Sequence, residues 1–131
     1  MTQGELVRIE QAVGVSLPAD LRELYTHYPF APDSWAASCA MPDDCPLLIR
    51  WNSCEPAAPS FGLDVARAFQ IGTDGRDRLY FARLGGRETA ILEADLDSGR
   101  LSTHDPDLLS WVLFLHAMHD RVDRDQQPTR P

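Results

Sequence analysis

The sequence contains no lysine: its basic side chains, apart from histidine, are 12 arginines, set against 20 aspartates and glutamates in 131 residues. Without an ε-amino group the chain can form no Schiff base, can hold no pyridoxal phosphate covalently, and lacks the lysine that Walker-type phosphate loops need. Cysteine is scarce too. Cys39, Cys45 and Cys54 are odd in number and too widely spaced for a tight zinc knuckle, which fits a reducing cytoplasm better than a disulfide framework. Long hydrophobic runs are missing. The longest, Trp111 to Leu115, is far short of the roughly 20 residues that span a bilayer, and Met1–Glu5 does not lead into an apolar stretch. Neither a membrane segment nor a secretory signal is expected, and the expected location is cytoplasmic. The formal net charge of −8 repels polyanions, which argues against nucleic acid and for a basic or neutral partner.

What is present supports one folded unit. The length is close to the commonest domain size and 44% of residues are apolar, enough for a single core. Residues 1–121 read as that domain, and 122–131, charged and containing Gln126-Gln127-Pro128, as a disordered tail. Leu6, Ile9 and Val13 recur at helical spacing up to a stop at Gly14. Ser16 or Leu17 is the expected cap of a second helix, with Pro18 as its first residue and Leu21, Leu24, Tyr25 and Tyr28 as its apolar stripe. Leu47 to Trp51 predicts a short strand in a loop region running from Phe30 to Phe61, with one helical turn near Ser34 to Ala40. A meander follows: Ala68–Ile71, a turn at Gly72–Gly75, Leu79–Leu84, a Gly85-Gly86 turn, Glu88–Ala94, a turn at Asp95–Gly99 and a short strand Arg100–Thr103. Asp105 as cap and Pro106 as first residue then predict a helix to about Asp120 whose apolar surface is wider than one stripe. The fold class is α+β: an antiparallel sheet flanked by an N-terminal helical hairpin and a C-terminal helix.

No catalytic set emerges. Asp95-Leu96-Asp97-Ser98-Gly99 opens like a calcium loop, but the glycine and glutamate positions of such a loop hold Arg100 and Pro106, so a β-turn is the reading. His116 and His119, with Asp120 and Asp123, are the one pattern from which a small metal-dependent hydrolase could be built. They lack the metalloprotease arrangement and read as helix-terminal histidines. No catalytic residue, metal ligand or cofactor is therefore assigned, and a protein that works by binding is expected. Charge distribution supplies the candidate surface. From Asp33 to Asp64, five acids against Arg50 give −4, and Asp33, Asp43, Asp44 and Glu55 around Trp35 are the expected partner contacts. Glu93 to Asp107 gives another −4, five acids against Arg100, whereas Asp74 to Arg87 is +2, four arginines against two aspartates.

Three segments, in order, carry a resemblance. Ile9 to Tyr25, a helix ending at Gly14 followed by Leu17-Pro18 and a second helix, resembles the opening signature of the SUKH superfamily. Phe69 to Gly75 followed by Leu79-Tyr80-Phe81 looks like that family's central glycine-bearing turn and strand, and Ser110 to Leu115 is similar to its closing helix. Arg76-Asp77-Arg78 stands where the family often carries a glycine and an acid, and Phe30 to Gln70 aligns with nothing in it. The resemblance implies an α+β, non-enzymatic domain. Bacterial members resemble immunity proteins that bind and neutralise a toxin delivered between competing cells, and eukaryotic ones resemble regulatory adaptors. The partner so implied is a cognate protein toxin with a basic surface; a regulatory adaptor without a toxin is the rival reading.

Overall fold

The computed structural model describes the backbone of residues 1–126 and the side chains of residues 1–118. Two helices come first, α1 (Gln3–Val13) and α2 (Ala19–Thr26). Thr2 starts α1 with a capping box: its hydroxyl accepts from the Glu5 amide at 3.1 Å and its own amide donates to the Glu5 carboxylate at 3.0 Å. Gly14, at φ 79°, ends it, as its position predicts. Polar ties close the hairpin. Arg22 pairs with Glu10, the Leu17 amide donates to Glu10 at 2.7 Å, and Gln3 reaches the Thr26 hydroxyl at 3.1 Å. Pro18 occupies the cap position of α2 in extended conformation and not the first helical position, so neither Ser16 nor Leu17 caps it.

The segment expected as a strand is helical. Cys45–Ile49 forms α3 and continues into a π-helical turn, Arg50–Cys54. A run of five bulky apolar residues is equally compatible with a buried helix or a strand. Here the flanks decide: the Asp44 carboxylate accepts from the Leu47 amide at 3.1 Å, and Pro46 sits in the first turn, where a missing N–H costs nothing. Trp51 accordingly packs on the core from a helical turn and not from a strand. A second π-helical turn, Ala36–Ala40, stands where one helical turn is expected, and a 3₁₀ turn spans Ala58–Phe61.

The sheet is a four-stranded antiparallel meander in the order β1-β2-β3-β4, as the turn spacing predicts. Its strands are β1 (Ala68–Thr73), β2 (Arg78–Arg83), β3 (Ile91–Asp95) and β4 (Leu101–Asp105). β3 begins at Ile91 and not at Glu88, because Leu84 to Ala90 forms a longer loop in which only Gly85 of the glycine pair takes a positive φ. One face of the sheet carries Ile71, Tyr80, Ala82 and Ile91 and packs under Leu6, Ile9, Leu21, Tyr25, Leu48, Trp111 and Leu115. The other face carries Phe81, Leu92 and Ala94 beneath Ala58, Phe61 and Leu63. The last helix, α4 (Leu108–Gln126), starts later than Asp105-Pro106 predicts, since Asp107 is the residue whose carboxylate accepts from the Ser110 amide at 2.8 Å. It also runs past Asp120 into the stretch expected as tail; residues 127–131 lie outside the described residues.

β1 is an edge strand, and two features seal it. Asn52, buried, donates to the carbonyls of Leu48 and Gln70 at 2.9 and 3.0 Å and accepts from the Gln70 amide at 2.7 Å, so α3 and its π-helical extension are bonded to the strand backbone. Two residues on, the β1–β2 register slips between Gln70 and Gly72, and the backbone of Cys39-Ala40 lies against Gly72. A Cβ there would stand 1.9 Å from the Ala40 carbonyl oxygen, so glycine is demanded by contact and not by φ. The β1–β2 turn is ordered by Asp74, whose Oδ1 accepts from the amides of Arg76, Asp77 and Arg78 at 2.9, 3.1 and 3.0 Å. Burial alone would raise this carboxyl, but those amides and the Arg78 guanidinium outweigh it and hold it below its ordinary range.

Two predictions follow from these contacts. Gly72→Ala should destabilise the protein by about 3 kcal/mol in denaturant unfolding, whereas Gly4→Ala in α1, with no atom nearer than 3.9 Å, should be neutral or slightly stabilising. Because the Asp74 carboxyl is held low in the folded state, its stabilisation is present above the unfolded value, near 3.8, and is lost as pH falls through the folded one. Asp74→Ala should therefore lower the melting temperature at neutral pH, with the gap to wild type closing in acid; a gap that does not change with pH would contradict this assignment.

Candidate functional site

The acids expected to bind a partner are all exposed but do not converge. Asp43 lies 3.4 Å from the Met1 amino group, and Asp44 caps α3. Asp33 and Glu55 make no ion pair among the described residues and lie on different segments, before the first π-helical turn and after the second. Trp35 is half-buried, edge-on to Tyr80 and Phe114 with ring centroids 6.3 and 6.2 Å away, so most of its surface serves the core. This region has the expected charge, but two of its acids already hold the backbone and its aromatic is packed.

A better-built surface lies between α2 and α4, a groove of about 590 Å³. Its rim carries four carboxylates, Asp20 and Glu23 from α2, Glu88 from the β2–β3 loop and Asp107 from the cap of α4, together with His27, which pairs with Glu23; among the described residues no arginine lines it. Its floor is apolar: Leu24, Leu108 and Val112, with Leu109 at its edge and Pro29 also in the lining. Two smaller concavities differ in charge. One, of about 350 Å³, includes Arg67 and Arg83, and the other, of about 320 Å³, contains the Arg78–Glu93 pair at 3.0 Å together with Arg100. Among these three, only the α2–α4 groove combines an apolar floor with several carboxylates and no arginine among the described residues.

Local structure explains how three distant segments meet there. The Asp20 Oδ1 accepts from the Thr89 hydroxyl at 2.7 Å, and Thr89 is buried, so the loop bearing Glu88 is bonded to the start of α2. Glu23 lies one turn further along α2, 3.3 Å from His27, and both are well exposed. Asp107 caps α4 and so sets its rotation: Leu108 turns inward at 7% exposure, Leu109 outward at 69%, and Leu113, one turn on, stands at 61%. The Ser110 amide and hydroxyl hold the Asp107 carboxyl below its ordinary range, which keeps the anion at the helix N-terminus. A leucine two-thirds exposed, followed four residues later by another, is a helix ridge left open by the described residues.

Several other chemistry-bearing residues are tied into the fold. Burial pushes the Cys39 and Cys45 thiols up, the opposite of nucleophile activation, and both donate to helix carbonyls, of Trp35 at 3.7 Å and Glu5 at 3.6 Å. His104 bonds Asp105 at 2.6 Å and packs edge-on against Tyr80, Trp111 and Phe114. His116 is exposed with its ring against Phe30, and the side chain of His119 lies outside the described residues. Asp95 forms the expected turn, its Oδ1 accepting from the Asp97 and Ser98 amides at 2.9 and 3.2 Å. Asp77, Asp95 and Asp97 bring oxygens within 4.8 Å of one another beside that turn, an arrangement accounted for by the Leu96 amide bonding the Asp77 carbonyl at 2.7 Å.

The chain matches no protein-family model, no curated protein and no solved structure. The groove was not legible in the sequence, because its acids stand at 20, 23, 88 and 107, and no window contains more than two of them. The one available signal was the excess apolar surface of the last helix, which already pointed to a second face. If Leu109 and Leu113 serve a partner and not the fold, Leu109→Gln with Leu113→Gln should change stability by no more than about 0.5 kcal/mol. Leu115→Ala, on the buried side of the same helix, should cost about 2–5 kcal/mol in the same unfolding assay.

Proposed function

We propose that the protein is a non-enzymatic binding protein of the immunity type, which neutralises a protein toxin with a basic surface by occupying it. The observation that carries this reading is the α2–α4 groove: four carboxylates without an arginine around an apolar floor, continued by two exposed leucines. Apolar area supplies affinity, and single-sign charge supplies steering and discrimination against acidic competitors. A net charge of −8 extends the same field over the molecule, so a basic partner is attracted before contact. The resemblance of Ile9–Tyr25, Phe69–Phe81 and Ser110–Leu115 to the SUKH pattern supports the same role and points to a toxin encoded beside the gene.

The acidic loop around Asp33, Asp43, Asp44, Glu55 and Trp35 is a second face that a large toxin could also touch, and the two are separable. Glu23→Arg with Glu88→Arg should slow association with the neighbouring-gene toxin by about tenfold or more at low salt, with the difference fading as salt rises. Asp33→Arg with Glu55→Arg, which removes no cap or ion pair, tests the loop in the same stopped-flow experiment. Failure of the wild-type protein to bind or inhibit that toxin would overturn the immunity reading. Loss of rate only in the loop variant would move the contact to the loop.

A further inference from the structure

We infer that the α2–α4 groove seats an amphipathic helix of its partner, apolar along one face and flanked by arginine or lysine, an inference that rests on the binding role proposed above. The shape argues for a helix. Leu109 and Leu113 are one turn apart on the outer side of α4, a rise of about 6 Å, and Val112 and Leu24 continue that apolar strip into the groove floor. A strip that follows a helix axis is complemented by side chains repeating at three- and four-residue spacing on a second helix, ridge into groove. The charge fixes what flanks that face. Asp20 and Glu23 lie along α2 on one side, with His27 beside Glu23, and Glu88 and Asp107 line the same groove, so cationic side chains on the flank turned toward α2 would meet four carboxylates there.

The same charges exclude the alternatives. A second copy of this chain would bring two sets of four carboxylates together on molecules each carrying −8, and an anionic membrane surface or a nucleic acid would be repelled by the same rim. Two of the four rim carboxylates are already fixed, because Asp20 and Asp107 each bond the fold through one oxygen, which lessens the ordering that has to accompany binding.

The test uses the full chain and a fluorescein-labelled synthetic helix with leucine at i, i+3, i+4 and i+7 and arginine at the flanking positions, beside a twin in which every arginine is glutamate. At low salt the arginine peptide should bind saturably in fluorescence anisotropy and the glutamate twin should not. Leu109→Gln/Leu113→Gln should raise Kd about tenfold or more, and Glu23→Gln/Glu88→Gln should raise it too while flattening its dependence on salt. Amide chemical-shift changes should gather on residues 20–29, 88–89 and 107–113. Equal binding of both peptides, Kd unchanged in both variants, or shifts gathered on the Asp33–Glu55 loop would overturn the inference. The two readings fail separately: wild type and Leu109→Gln/Leu113→Gln inhibiting the toxin equally would remove the helix from the groove and leave the immunity role standing. Peptide binding as expected, with no toxin bound, would do the reverse.

Discussion

The fold depends on how β1 is closed as an edge. A sheet edge exposes unpaired amides and carbonyls, and here the covering material is the long segment between α2 and the meander, built of short helical turns. Two contacts hold it. The Asn52 side chain completes the backbone bonding of Gln70, and the missing side chain at Gly72 lets the Cys39-Ala40 backbone lie directly on the strand. Once those are made, Trp35 is delivered onto Tyr80 and Phe114, the Met41 carbonyl accepts from Tyr28 at 2.6 Å, and α3 is placed with Leu48 in the core. A bulge, a glycine and one amide side chain thus organise about a third of the chain.

The candidate site is built by the same economy. Asp20 and Asp107 are structural residues first, one bonding the β2–β3 loop and the other capping α4, and their charge on the groove is a consequence of those roles. Leu109 and Leu113 are the reverse case, apolar side chains at positions where folding gains nothing from them. Exposed leucine costs solubility unless something covers it, and the surrounding carboxylates favour a cationic cover.

Much of the architecture was legible because it is local. Gly14, the turn formers Asp95 to Gly99 and the apolar spacing of the first and last helices each write their element within a few residues and reappear as expected, whereas Gly72 and Thr73, expected in the turn, extend β1 so that the turn begins at Asp74. Leu47–Trp51 was misread as a strand because an apolar run of five carries no period; the deciding information was Asp44 and Pro46 on one flank and Asn52 on the other. The start of α4 shifted because Asp105 and Asp107 are both plausible caps, and His104 engages Asp105. Charge counting points to the Asp33–Glu55 loop, and sequence windows cannot see that residues 20, 23, 88 and 107 share one rim. The β2–β3 connection through Thr89, which brings Glu88 to α2, has no local signature at all.

The central claim is that this protein works by presenting the α2–α4 groove to a basic protein. Hydrogen–deuterium exchange of the full chain, alone and with the basic toxin proposed as its partner, tests that claim most directly. The account predicts slowed exchange in residues 20–29, 88–90 and 107–113 on complex formation, with the meander strands unchanged. Protection confined to residues 33–55, or none anywhere at saturating toxin, would contradict it.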